Sequence, residues 1–89
     1  MVHGYGASAM IFFKILKPLV EAGFHLALID ILGMGSSSRP HFDLKQSQHQ
    51  AEQFFVDFLE AWRIAMCDLK DFFLAGHSFG GFICGLYAL

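Results

Sequence analysis

Residues Gly76-His77-Ser78-Phe79-Gly80-Gly81 constrain this chain more than any other stretch. A G-x-S-x-G pattern recurs often by chance, so its setting carries the signal. Here it sits between an apolar run, Phe72 to Ala75, and a helix-like one, Phe82 to Leu89, which is the strand, turn and helix of a nucleophile elbow. A turn that sharp strains the backbone of its central serine and leaves no room for side chains two residues to either side. Gly76 and Gly80 supply that room. Ser78 is then held above the strand end, and the backbone N–H of Phe79, in the first turn of the following helix, points at whatever the hydroxyl attacks. The chemistry served by such a turn is acyl transfer.

The remaining composition narrows the classes. Over half of the 89 residues are apolar and eleven are phenylalanine, which suffices for one small, core-rich domain. A formal net charge of −2 gives no electrostatic footprint for nucleic acid or a polybasic membrane patch. Cys67 and Cys84 lie far apart in apolar surroundings without metal-ligand spacing, and read as buried free thiols. No basic segment followed by an apolar one marks a secretory leader. The run Phe72 to Leu89 approaches the length and apolarity of a membrane span, but Gly76, His77 and Ser78 near its centre favour a buried strand, turn and helix.

In chain order, Met1 and Val2 read as the end of a strand whose earlier part is missing, because His3-Gly4-Tyr5-Gly6 follows as a strand-to-helix turn. Ser8 caps a helix over about Ala9 to Ala22, with Phe12, Phe13, Leu16, Leu19 and Val20 on its apolar face. Pro18 should kink or divide that helix, and Gly23 ends it. Phe24 to Ile29, closed by Asp30, reads as a parallel strand covered on both faces, with His25 at its partly exposed entry. Ile31 to Pro40 is a loop rich in glycine and serine. A helix from Leu44 or Ser47 to Met66 follows, with Phe54, Phe55, Phe58, Leu59, Trp62, Ala65 and Met66 on one side. Asp68 to Asp71 turns the chain into a strand at Phe72 to Ala75. The order of helix, strand, helix, strand, helix behind a strand remnant predicts an α/β fold with a parallel sheet and helices on both faces.

Three turns have now accumulated in order: His3 to Gly6, Asp30 to Ser37, and Gly76 to Gly81. Together they resemble the α/β-hydrolase fold family of serine hydrolases and lipases. Asp30-Ile31-Leu32-Gly33-Met34-Gly35-Ser36-Ser37-Ser38-Arg39-Pro40, Glu60-Ala61-Trp62-Arg63 and Gly80-Gly81-Phe82 are most similar to its abhydrolase-domain subfamily. That subfamily includes N-acyl phospholipid lipases, lysophosphatidic acid acyltransferases and a coactivator of triglyceride lipase.

The resemblance implies Ser78 as nucleophile and the backbone N–H groups of Tyr5 and Phe79 as an oxyanion hole. Gly76, His77 and Gly80 then build the elbow, while His3, Gly4 and Asp30 build the turns beside it. In this fold the triad acid and base follow the serine. Only eleven residues follow Ser78, with no histidine, aspartate or glutamate among them. The expectation is therefore that residues 1–89 are an N-terminal-central fragment of one hydrolase domain, lacking its first strands and C-terminal half, and inactive alone. His41 and His49 are read as structural or solvent-facing rather than as the missing base.

For the full-length parent, the implied function is hydrolysis of a lipid ester or amide through an acyl-enzyme. The alternatives are a lysophospholipid acyltransferase and a non-catalytic lipid-associated scaffold or lipase coactivator. The coactivator member has asparagine where this chain has Ser78, which brings the hydrolase-like members nearer. No metal or organic cofactor is implied, and the expected partner is a lipid or small ester or amide. The expected location is cytoplasmic, with peripheral membrane or lipid-droplet association compatible with it.

Overall fold

The structure, a computed structural model, describes residues 1–89 and holds three α-helices and one 3-10 turn. Ser8 opens the first helical segment as expected, its hydroxyl accepting the Met10 N–H at 3.3 Å. The segment is divided, although not at the proline. A 3-10 turn spans Ala9–Phe12, α1 spans Phe13–Glu21, and Pro18 lies within α1. Gly23 follows at φ 97°, a left-handed conformation that stops a helix and that glycine adopts without a Cβ penalty.

Helix α2, Gln48–Ala65, starts at a reciprocal cap: Ser47 Oγ accepts the Gln50 N–H at 3.2 Å, and Gln50 Oε1 accepts the Ser47 N–H at 3.0 Å. Beyond its end, Cys67 and Asp68 both take positive φ, and the Asp68 and Leu69 N–H groups return to the Ile64 and Arg63 carbonyls. Cys67 is thereby exposed rather than buried, because it belongs to the turn and not to the helix face; Cys84 is the buried thiol. Helix α3, Phe79–Ala88, begins directly after Ser78 and packs on α2. The core consists of Val2, Ile29, Ile31, Leu59, Ile83 and Cys84, with Phe55, Phe58, Trp62 and Tyr87 closing over it.

Val2 is the centre of this arrangement. It forms parallel bridges to Ile29 on one side and to Gly76 on the other. The Val2 N–H donates to Ala75 O at 2.8 Å, the His77 N–H to Val2 O at 3.0 Å, and the Ile29 N–H to Met1 O at 3.1 Å. Of the strand expected at Phe24 to Ile29 only Ile29 is bridged, and the strand expected at Phe72 to Ala75 does not form, the single bridge on that side lying at Gly76. The physical reason is lateral: a ladder needs consecutive partners, and only Met1 and Val2 lie between the two segments.

That shortage shows in the surface. The accessible area is 6252 Å², against about 5,200 Å² for a compact folded chain of this size. Phe24, Phe73, Phe13 and Val20 are exposed, Phe73 at 90%. The apolar face of α1 therefore has no helix or sheet packed over it.

Candidate functional site

Ser78 stands at φ 55°, ψ −121° immediately before α3, a conformation that costs a residue with a Cβ about 1–3 kcal/mol. Its surroundings hold it there. A Cβ on Gly76 would enter the backbone of Gly80, and one on Gly80 would enter the carbonyl groups of Val2 and His3. Gly4 closes over the serine: a Cβ there would lie 3.2 Å from the Ser78 Cβ. The Gly80 N–H donates to His77 O at 3.0 Å and the Phe82 N–H to Ser78 O at 3.1 Å, completing the turn. Neither the Tyr5 N–H nor the Phe79 N–H donates to another group of the chain. The two residues meet on their side-chain side, ring centroids 6.5 Å apart and edge to face.

The His3 turn is tied to the Asp30 loop. His3 is fully buried. Its Nε2 accepts the Ile31 N–H at 3.0 Å and its Nδ1 lies 2.7 Å from Gly4 O, an acceptor. An acceptor facing Nδ1 and a donor facing Nε2 define one state, the neutral imidazole with its proton on Nδ1. Nε2 lies 3.8 Å from Asp30 Oδ1, but because its lone pair is committed to the Ile31 N–H this is proximity rather than an ion pair. Asp30 in turn accepts the Ala9 N–H at 2.7 Å and the Ser36 N–H at 2.9 Å. Those bonds, Ser36 first and Ala9 second, hold its carboxyl below the usual range. Ser37 donates to Asp30 O at 2.5 Å, and Arg39 closes the loop on the carbonyls of Ser37 and Gly35. Asp30 thus fastens its own loop through Ser36 and Ser37 and also reaches across to Ala9 at the start of the 3-10 turn.

The structure thus brings together His3, Gly4, Tyr5, Asp30, Gly76, His77, Ser78, Phe79 and Gly80. His25, His41 and His49 are exposed and stand outside this cluster. No three metal-ligating side chains converge. A shallow cleft of about 290 Å³ runs between the Asp30 loop and α2, lined by Ala9, Leu28, Asp30, Ser37, Phe58 and Trp62, and includes no elbow residue.

One network was not read from the sequence. Arg63 grips both carboxylate oxygens of Glu60, Nε to Oε2 at 2.9 Å and Nη2 to Oε1 at 2.7 Å. Arg63 Nη1 reaches Asp68 Oδ1 at 2.5 Å and Leu69 O at 3.1 Å, and the Tyr87 hydroxyl donates to Glu60 Oε2. Arg63 first, and Tyr87 second, hold the Glu60 carboxyl at about 2, while Glu60 pushes the Tyr87 hydroxyl up. The network fastens the end of α3 to α2 and to the turn that leads back to the elbow. Only the i, i+3 spacing of Glu60 and Arg63 offered a signal for it.

Residues 1–89, the whole chain, match the model of the alpha/beta hydrolase fold family. The chain belongs to that family. Among curated relatives of this α/β-hydrolase chain, a probable 1-acylglycerol-3-phosphate O-acyltransferase of Oryza sativa subsp. japonica is 47% identical over 89 residues, covering 100% of this chain and 21% of the relative. A (lyso)-N-acylphosphatidylethanolamine lipase of Homo sapiens is 37% identical over 100% of this chain and 25% of its own length. A 1-acylglycerol-3-phosphate O-acyltransferase ABHD5 of Rattus norvegicus is 34% identical, with 100% and 24% covered. The chain spans about a fifth to a quarter of the length of these relatives. No solved structure matches it.

Proposed function

We propose that residues 1–89 are the N-terminal-central part of one longer α/β-hydrolase domain whose Ser78 attacks an ester or amide of a lipid. The strained backbone of Ser78, at φ 55° between Gly76 and Gly80, carries this reading. The pairing of Val2 with both Ile29 and Gly76 supports a parallel sheet in which the strand ending at Val2 lies between the other two. Ser78 Oγ adds to the carbonyl carbon and its proton passes to a base supplied by the rest of the domain. The carbonyl oxygen becomes an oxyanion, for which the free N–H groups of Tyr5 and Phe79 are the donors. Collapse expels the alcohol or amine, which takes a proton from the same base, and leaves an acyl-serine. Water then releases the fatty acid.

A second acceptor is favoured by the acyltransferase names of the rice and rat relatives: a lipid hydroxyl replaces water and receives the acyl group. The lipase name of the human relative favours water. No helix is long and apolar enough to cross a membrane, and contact with lipid is proposed as peripheral, at a membrane or droplet surface, with the cytoplasm as its location.

A fluorophosphonate probe on the full-length polypeptide tests the serine. Labelling of the wild type and none of Ser78→Ala is the expected result. An unlabelled wild type would leave the non-catalytic scaffold reading instead. Release of free fatty acid, compared with and without added lysophosphatidic acid, separates the two acceptors.

A further inference from the structure

We infer that His3 is a positioning residue for the oxyanion donors, acting as a neutral imidazole with its proton on Nδ1; the inference rests on the assignment of Ser78 and Tyr5 above. Three observations carry it. His3 is fully buried with both ring nitrogens engaged, Nδ1 toward Gly4 O at 2.7 Å and Nε2 toward the Ile31 N–H at 3.0 Å. It is the side-chain tie between the Gly4-Tyr5 turn and the Asp30 loop. Its neighbour Gly4 lies against the Ser78 Cβ, and Tyr5 follows at once, so the orientation of the Tyr5 N–H depends on how that turn is held.

The two bonds have separable roles. The bond to Gly4 O is local and orients the ring within the turn. The bond from the Ile31 N–H spans 28 residues and fixes the turn against a loop that Asp30, Ser36, Ser37 and Arg39 hold independently. A proton on Nε2 would set two N–H groups against each other. Nε2 must therefore remain an acceptor.

Two substitutions distinguish this from a role in filling space. Glutamine at position 3 places Oε1 near the Nε2 position and keeps an acceptor for the Ile31 N–H. Asparagine retains a donor for Gly4 O but is too short to reach Ile31. Fluorophosphonate labelling of Ser78 in the full-length polypeptide should persist in His3→Gln within about threefold of wild type. It should fall about 10- to 100-fold in His3→Asn and His3→Ala, as misaimed donors predict. Equal loss in His3→Gln and His3→Ala, with wild type labelled, would overturn the inference. A wild type that does not label removes the serine hydrolase reading itself, and this inference with it. Long-range proton–nitrogen NMR of the wild-type histidines gives a readout without turnover: a His3 signal with protonated Nδ1 and bare Nε2 is expected, and an Nε2–H tautomer or an imidazolium at neutral pH contradicts it.

Discussion

Gly4 lies against Ser78 at the distance where a single added carbon begins to crowd it: a Cβ at position 4 would sit 3.2 Å from the Ser78 Cβ. The neighbour must give by a few tenths of an ångström, and Ser78 is held by the elbow on its other side. Gly4→Ala should therefore cost little stability, within about 1–2 kcal/mol, while slowing fluorophosphonate labelling about 10-fold or more. Gly80→Ala differs, because its Cβ would enter the carbonyl groups of Val2 and His3. That overlap should cost about 3 kcal/mol or more and prevent folding of the region. Urea midpoints and labelling rates measured side by side check the contrast; equal unfolding by both substitutions would refute it.

Asp30 offers a separate test of how the turns are joined. Its two carboxylate oxygens each accept one backbone N–H, from Ala9 and from Ser36. The amide of an Asp30→Asn variant keeps one acceptor and sets an NH2 against the other N–H. The expected loss is about 1–3 kcal/mol, with faster amide exchange at Ala9 and Ser36. An unchanged urea midpoint and unchanged exchange would show that the loop is held by Arg39 and Ser37 alone.

Acid should loosen the junction of α2 and α3. The Glu60 carboxyl is held from 4.5 down to about 2 by Arg63 and then Tyr87. A carboxyl depressed in the folded state stabilises that state fully above its unfolded value, and the contribution is lost as pH falls through the folded value. The window is therefore pH 4.5 down to about 2, and the lowered Asp30 carboxyl adds in the same direction. Because the Glu60 side chain is partly exposed to water, at 42%, the effect should be modest and shrink in about 1 M salt. Tyr87→Phe removes one donor and should raise the Glu60 titration seen by carbon NMR. A Glu60 carboxyl titrating at 4.5 in the wild type would dismiss the network.

What could be read in the sequence followed from local chemistry. Ser47 was one of two starts the sequence offered for α2, and it is the one capped; Ser8 announced the start of the first helical segment, and Gly23 the stop after α1. Gly76, Ser78 and Gly80 announced a turn whose strain the backbone angles of Ser78 display. Strand pairing is different in kind. The apolar run Phe24 to Ile29 states a preference for burial, but whether it joins a ladder depends on a neighbour elsewhere in the chain, and Val2 supplies one bridge to each side. Hence Phe73, central to an expected strand, is 90% exposed. The same limit hid the Glu60–Tyr87 contact, whose members are 27 residues apart, and the bond from Ile31 to His3. The division at Phe12 and Phe13 rather than at Pro18 was hidden for another reason. A proline removes one donor and leaves the remaining ladder in place, so α1 runs through it.

Replacing Ser78 itself separates strain from chemistry. At φ 55°, ψ −121° a Cβ is costly, by about 1–3 kcal/mol, whereas glycine adopts this region freely but loses roughly 0.5–1 kcal/mol more in unfolded-state entropy. Ser78→Gly should therefore stabilise the fold by roughly 0.5–1 kcal/mol while removing all labelling. Ser78→Ala keeps the Cβ and the strain, so its stability should stay within about 0.5 kcal/mol of wild type, again without labelling. The pair must be compared by urea midpoint under one condition. A Ser78→Gly protein less stable than Ser78→Ala would mean that the turn is relaxed, and that Gly76 and Gly80 serve close packing against Val2 and His3 rather than a serine held ready for attack.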